Sequence, residues 1–151
     1  LMPRGEGALG YSQEPPELRH IFTRGRIIAQ MAILLAGRAA EHLSCAEVST
    51  GAHDDLEKAS RLAERYLFAW GMGGDQVLYV QPAPEAGKCA RLLHRLSRAV
   101  HNLLKTHSTY HVKITELLLE RETIVDGDLT QLIPSSLRQS IPASSLLDKT
   151  K

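Results

Sequence analysis

In the stretch "DLEKASRLAERYLFAWGM", apolar side chains fall at Leu56, Ala59, Leu62, Ala63, Tyr66, Leu67 and Trp70. Steps of three and four residues put them on one face of an α-helix, whereas a half-buried strand would alternate every second residue. Glu57 and Arg61 stand one helical turn apart on the other face, the spacing of a favourable ion pair. Gly71 follows the last stripe residue, where a left-handed C-cap ends a helix. A chain that contains this stripe must bury it, and the economical partner for a helix stripe is another helix.

Further segments carry the same period. Thr23 is a good N-cap for a first helix whose apolar positions are Ile27, Ile28, Met31, Leu34, Leu35 and Leu43. Gly37 lies inside it, where glycine costs about 1 kcal/mol relative to alanine. The small residues around it, "AGRAAEH", predict close packing against another element. A third helix is expected over about Lys88 to His107, with Leu92, Leu93, Leu96, Val100, Leu103 and Leu104 inward, and a fourth over about Tyr110 to Arg121, with Ile114, Leu117 and Leu118 inward. "ETIVDGDLTQLI" turns into a short final helical segment.

Aromatic residues are only 5% of the chain, so the core rests on Leu, Ile, Val and Ala, which favours helices over a β-sandwich. The 151 residues suit one domain with a real core. The expected fold is mainly α: a bundle of about four to five helices with a small β element near the N-terminus. That β element rests on apolar patches at Leu1–Met2 and Ala8–Tyr11 in a Gly- and Pro-rich stretch. "VLYV", residues 77–80, reads as a short strand or extended loop. The expected organisation is a strand and loop remnant over residues 1–20, a helical part over 23–133 and a flexible, Ser-rich polar tail over 134–151.

The formal net charge is +1, which gives no sign of a nucleic-acid partner or a polybasic membrane contact. The two cysteines, Cys45 and Cys89, match no C-x-x-C zinc pattern and read as small buried or half-buried thiols. "IIAQMAILLAG" is the longest apolar stretch, and it is too short for a bilayer, which needs about 20 residues. No secretory signal is visible. Leu1 precedes Met2, so the chain reads as a piece of something longer.

Chemistry concentrates in "STGAHDDL". A glycine turn runs into a helix whose mouth carries His53, Asp54 and Asp55. Acidic groups suit the positive end of a helix dipole, and carboxylates and imidazoles are also metal ligands. Asp55 directly precedes the apolar stripe, so it can point to the interior side of the helix mouth. Local physics favours capping over ligation here. Among the seven histidines, His107 and His111 share a helix face, and His94 and His101 lie a heptad apart. A metal site would need further partners for either pair, and solvated helix-surface histidines account for both.

"PRGEGALGYSQ", "ILLAGRAAEH", "EVSTGAHDDLEKASRLAERYLFAWGM" and "ELLLERETI" resemble, in this order, the protease domain of FtsH-type AAA+ zinc metalloproteases, over about Pro3 to Ile133. The resemblance implies a mostly helical domain beside a small β element. It also implies ATP-driven proteolysis of unfolded or membrane proteins by a homo- or hetero-hexamer. Such parents are anchored in the bacterial inner membrane, the mitochondrial inner membrane or the thylakoid, through segments this sequence does not contain, and the protease domain itself is soluble. ATP and magnesium belong to the ATPase module. In that family zinc is held by two histidines of an H-E-x-x-H helix and by an Asp of a "TTGASNDL" block, which matches Asp55. This reverses the local preference and makes Asp55 the third zinc ligand. Glu41, which follows "GRAA", matches a supporting residue near the metal, of the kind that orients a ligating imidazole. His53 and Asp54 are then turn and cap residues.

This sequence departs from the family at three points. It contains no H-E-x-x-H, and so lacks two ligands and the general base. His42 replaces a more usual Glu. Arg26 replaces an acid common early in that helix, which should weaken the helix start. In a complete enzyme the resemblance implies a zinc-activated water, deprotonated by the motif Glu. Substrate would lie extended beside an edge strand, with Ala8, Leu9, Gly10 and Tyr11 as its candidate residues. The alternative reading is a degenerate relative that keeps the helical domain as an inactive oligomerisation or substrate-holding module. A structural bundle unrelated to proteolysis would leave the ordered blocks unexplained.

Overall fold

The computed structural model describes residues 21–45, 47–73, 86–139 and 145–148. Among these there is no strand, and the chain is mainly α as expected. The helices are α1 (Arg24–Ser44), α2 (His53–Glu64), α3 (Ala86–Thr106), α4 (Ser108–Arg121), α5 (Asp126–Leu132), α6 (Ser135–Gln139) and α7 (Ser145–Asp148). The expected β element with Ala8, Leu9, Gly10 and Tyr11 lies outside the described residues, as does "VLYV". The described residues fall into two compact units, 21–105 with 145–148, and 106–139.

The first unit holds the larger core. α1 starts as its sequence predicts: Thr23 is extended and its Oγ1 accepts from the Arg26 N–H at 3.3 Å. Its first turn has no acidic residue, so this hydroxyl carries the cap without help from a carboxylate. Ile27, Ile28, Met31 and Leu35 are buried together with Ala59, Ala63 and Tyr66 from α2 and its extension, and with Cys89, Leu92 and Leu96 from α3. Full burial of such an aliphatic side chain stabilises by about 1.5–3 kcal/mol. A smaller cluster joins Ala32 and Ala39 of α1 to Val100 of α3. Cys45 is exposed, Cys89 is buried, and both are free thiols. Burial, with a lesser effect from the nearby Glu64 charge, pushes the Cys89 thiol up from its ordinary value.

Gly37 does not do what the small residues around it suggest. It is exposed, and a Cβ built there would meet nothing within 4 Å. The close approach belongs instead to Ala32 and Ala39, on the side of α1 that faces the core. Gly37 therefore weakens the helix without serving contact.

α2 continues into a π-turn over Arg65–Ala69, closed by Trp70 N–H to Arg65 O at 2.8 Å. The wider turn breaks the 3.6-residue period, and Phe68 is buried although it stands off the predicted stripe. Gly71 then takes a left-handed conformation with φ 59°, and the Met72 N–H donates to Tyr66 O at 2.9 Å, one residue further back than the long bond of a Schellman stop because of the π-turn. Gly73 is held tightly too, since a Cβ there would lie 2.4 Å from Leu67 Cδ2. Glu57 and Arg61 pair at 2.6 Å as expected, on an exposed face where such a pair is worth roughly 0.3–0.5 kcal/mol.

The second unit is more open. No residue of α4 is fully buried, and Val112 and Leu119 are exposed while Ile114, Leu117 and Leu118 are half-buried. Glu122 ends α4 in the left-handed region, with its N–H on Leu118 O at 2.8 Å. α5 opens where Asp128 reaches back, its Oδ2 accepting from the Val125 N–H at 3.1 Å and its Oδ1 pairing with Arg121 at 3.2 Å.

The segment expected to be an unstructured polar tail contains helical turns in its described parts, α6 and α7. In the first unit, Leu146 and Leu147 of α7 are half-buried against the core, and Arg95 Nη2 donates to Leu147 O at 2.6 Å. Two adjacent leucines within a Ser-rich sequence are enough to dock a short helix.

Two substitutions test this packing by urea denaturation. Gly37→Ala should raise stability by about 0.5–1 kcal/mol, because nothing obstructs the methyl group. Tyr66→Phe keeps the buried ring, 1% exposed, but removes the hydroxyl that accepts from Arg24 Nε at 2.9 Å, and should cost about 0.5–1.5 kcal/mol.

Candidate functional site

The segment between α1 and α2 is built from a few interlocking bonds. Ser49 is extended, with φ −104° and ψ 174°, and its Oγ accepts from the Gly51 N–H at 3.1 Å. Residues Thr50–Ala52 form one 3-10 turn, and the His53 N–H donates to Thr50 O. α2 begins directly after it. Asp54 and Asp55 lie in the first turn of α2, where the helix dipole favours a negative charge. The residue preceding the helix is Ala52, and it offers no side-chain cap. The capping hydroxyl stands earlier, at Ser49, so none of His53, Asp54 or Asp55 takes the capping role that local physics favours.

The Asp55 side chain is 50% exposed, and its Oδ1 is 3.9 Å from Lys58 Nζ. At that separation and exposure the ion pair is loose. His53 and Asp54 are exposed.

Glu41 lies near the C-terminal end of α1 and reaches across to this turn. The Ser49 hydroxyl donates to Glu41 Oε1. Oε2 is shielded from solvent, makes no hydrogen bond, and lies 3.4 Å from Arg38 Nη1. The Ser49 hydroxyl is the main reason the Glu41 carboxyl sits below the ordinary glutamate value; desolvation opposes it, and the Ser49 backbone together with the Arg38 and His42 charges adds to it. Ser49 itself escaped the sequence reading. Its signal was local, a hydroxyl residue two before a glycine at the mouth of a predicted helix.

The donor set decides how far these residues fit a zinc ion. A catalytic zinc takes three protein ligands. Among the described residues no three His, Cys, Asp or Glu side chains are grouped so that they could hold a metal ion. Asp55 therefore offers one donor, and the described residues do not form a zinc site by themselves. His94 is exposed, and His101, His107 and His111 are half-buried, with no such group around either pair. Among the described residues no helix is long and apolar enough to cross a membrane.

Comparison with known proteins gives the class of this helical domain. The pattern of Peptidase family M41 matches residues 1–92, and the chain belongs to that family. The relatives are more particular. An "ATP-dependent zinc metalloprotease FtsH" of Acaryochloris marina is 34% identical over 99% of this chain, which covers 24% of that protein. The protein named "ATP-dependent zinc metalloprotease FtsH 1" from Symbiobacterium thermophilum is also 34% identical over 99% of the chain and 27% of its own length. A third, from Paraburkholderia phymatum, is 49% identical over 48% of the chain and 11% of its own length. The chain thus spans about a quarter of the two relatives that it matches along almost its whole length.

The Glu41 bond has a pH signature. A glutamate whose folded-state pKa is depressed adds stability above its unfolded value and loses it as pH falls through the folded value. Ser49→Ala should therefore lower stability at neutral pH. The gap to the parent should close as pH falls through and below the ordinary glutamate value of 4.5, measured by urea denaturation across that range.

Proposed function

We propose that this chain is the peptidase-domain portion of a membrane-anchored, ATP-dependent zinc metalloendopeptidase that degrades unfolded or membrane proteins. The observation that carries this reading is the match of almost the whole chain to relatives named ATP-dependent zinc metalloproteases, together with a loosely held carboxylate on the turn that opens α2. In this reading residues 1–133 belong to the peptidase domain. Asp55 is one zinc ligand, and the remaining ligands and the general base come from an H-E-x-x-H segment that this sequence does not contain. ATP and magnesium act in a separate module, and assembly is a homo- or hetero-hexamer. The anchoring membrane is a bacterial inner membrane, a mitochondrial inner membrane or a thylakoid. Extended polypeptide would pair with an edge strand that includes Ala8, Leu9, Gly10 and Tyr11.

What this chain contributes is placement. Asp55 projects from the first turn of a helix whose other face is pinned in the core by Ala59 and Ala63, both 0% exposed. The backbone that carries this carboxylate is thus held in place, which reduces the ordering cost of binding.

The second reading is an inactive oligomerisation or substrate-holding module, and the absence of a group of three His, Cys, Asp or Glu side chains among the described residues is compatible with either reading. Casein cleavage by the full-length protein that carries this chain, with ATP and zinc added, separates the two. Cleavage that is lost with Asp55→Ala supports the peptidase. Zinc affinity should fall in parallel, by more than the roughly 10–100-fold expected for an outer-shell partner. The 151-residue chain alone should show no metal-dependent cleavage. Full activity in Asp55→Ala would remove Asp55 from the site, and an inactive full-length parent would favour the second reading.

A further inference from the structure

We infer that the apolar surface of α1 and α3 beneath α7 is a seat for a short helical turn with two adjacent leucines, and that it can exchange its own chain's α7 for the α7 of a second copy. The inference is independent of the peptidase reading.

Leu146 packs against both apolar clusters of the first unit, and Leu147 packs against the larger one. The smaller cluster consists of Ala32 and Ala39 from α1 and Val100 from α3, with Ala36 and Leu104 packed around it beside Leu146. The alanines are short, so this side of α1 leaves room for a leucine from elsewhere in the chain. Arg95, exposed on α3, donates from Nη2 to Leu147 O at 2.6 Å. That bond satisfies one of the last carbonyls of α7, which a helix of four residues cannot satisfy internally. The seat therefore holds side chains and backbone together.

α7 cannot hold its shape unaided. Its four residues are far below the length, about 12–15, at which an isolated helix becomes even marginal. Both leucines are only half-buried. The turn thus depends on its seat, and its release is a local opening rather than unfolding of the domain. The seat stays built without it, because Ile28, Met31 and Leu96, each 0% or 1% exposed, belong to a core to which α1, α2 and α3 all contribute.

The α7 of a second copy carries the same two leucines and the same carbonyl. A seat that fits one fits the other, and concentration sets which is bound. The tethered segment wins when copies are dilute, and exchange of the segment joins copies when they are crowded.

The test uses two variants of the 151-residue chain. Leu146→Asp/Leu147→Asp leaves an empty seat, and Ala36→Glu leaves a free α7 with its own seat blocked. Each alone should sediment as a monomer, and an equimolar mixture should form a 1:1 heterodimer. A synthetic peptide of residues 142–151 should bind the variant with the empty seat, shift its Val100 and Leu104 amide resonances, and break the heterodimer. The same peptide with both leucines replaced by aspartate should bind roughly 10–100-fold more weakly. Adding Arg95→Ala to the receiving chain should weaken the peptide roughly 3–10-fold. Where a charged variant loses helical circular dichroism, Ala36→Leu and Leu146→Ala/Leu147→Ala take its place. No binding of the peptide, or equal binding of its aspartate form, would show that the surface is no seat and overturn the inference. A mixture that stays monomeric while the peptide binds would show a seat closed to other copies and overturn the exchange. A complex that forms with either variant alone, or that resists the peptide, would place the contact elsewhere and overturn it too.

Discussion

The packing of α1 against α2 is the interaction on which the rest depends. Ile27, Ile28, Met31 and Leu35 bury against Ala59, Ala63 and Tyr66, and both alanines are completely shielded. Alanine here is a spacing choice. Its methyl group lets the neighbouring backbone approach, and the longer side chains of α1 fill the room around it. With the two helices fixed, the short connection between them has little freedom. Its ends are set by the core, and its middle is set by Glu41 and Ser49. The position of Asp55 follows from these two constraints together.

Hydrophobicity and polarity divide this work. The apolar seam supplies most of the stability and is indifferent to pH. The Glu41–Ser49 bond supplies direction, and it depends on an ionised carboxylate whose second oxygen is shielded and makes no hydrogen bond. Leaving such an acceptor unsatisfied costs stability. The ion pair with Arg38 offsets part of that cost. An arrangement of this kind is better explained by geometry than by stability, since an apolar residue at position 41 would avoid the desolvation altogether.

Much of the fold was legible because burial in helices leaves a periodic trace. The Thr23 cap, the stripes of α1, α2 and α3, the Glu57–Arg61 pair and the Gly71 stop all depend on near neighbours in sequence, and all appear. The misses share a different origin. Phe68 is buried because a π-turn adds a residue to the helix, and a fixed 3.6-residue period cannot register that. Gly37 looked like a contact residue because its neighbours are small, but which side of α1 meets α3 is decided by partners far along the chain. Leu146 and Leu147 are half-buried within a polar composition for the same reason. At the candidate site, Asp55 was reached through the resemblance of its block rather than through local physics, which pointed to capping. The Ser49 turn had a local signal, but its bond to Glu41 did not, since that partner stands eight residues earlier, on α1.

The shielded alanines on α2 have one more consequence. They act as the gauge that sets the gap between two rods, and the strap across one end of that gap carries the acidic group. A bulkier residue at 59 or 63 would wedge the rods apart, since well-packed interiors accommodate added volume by shifting backbone. The displacement would be passed along α2 to its first turn, so two methyl groups that touch no substrate govern where a distant oxygen atom can stand.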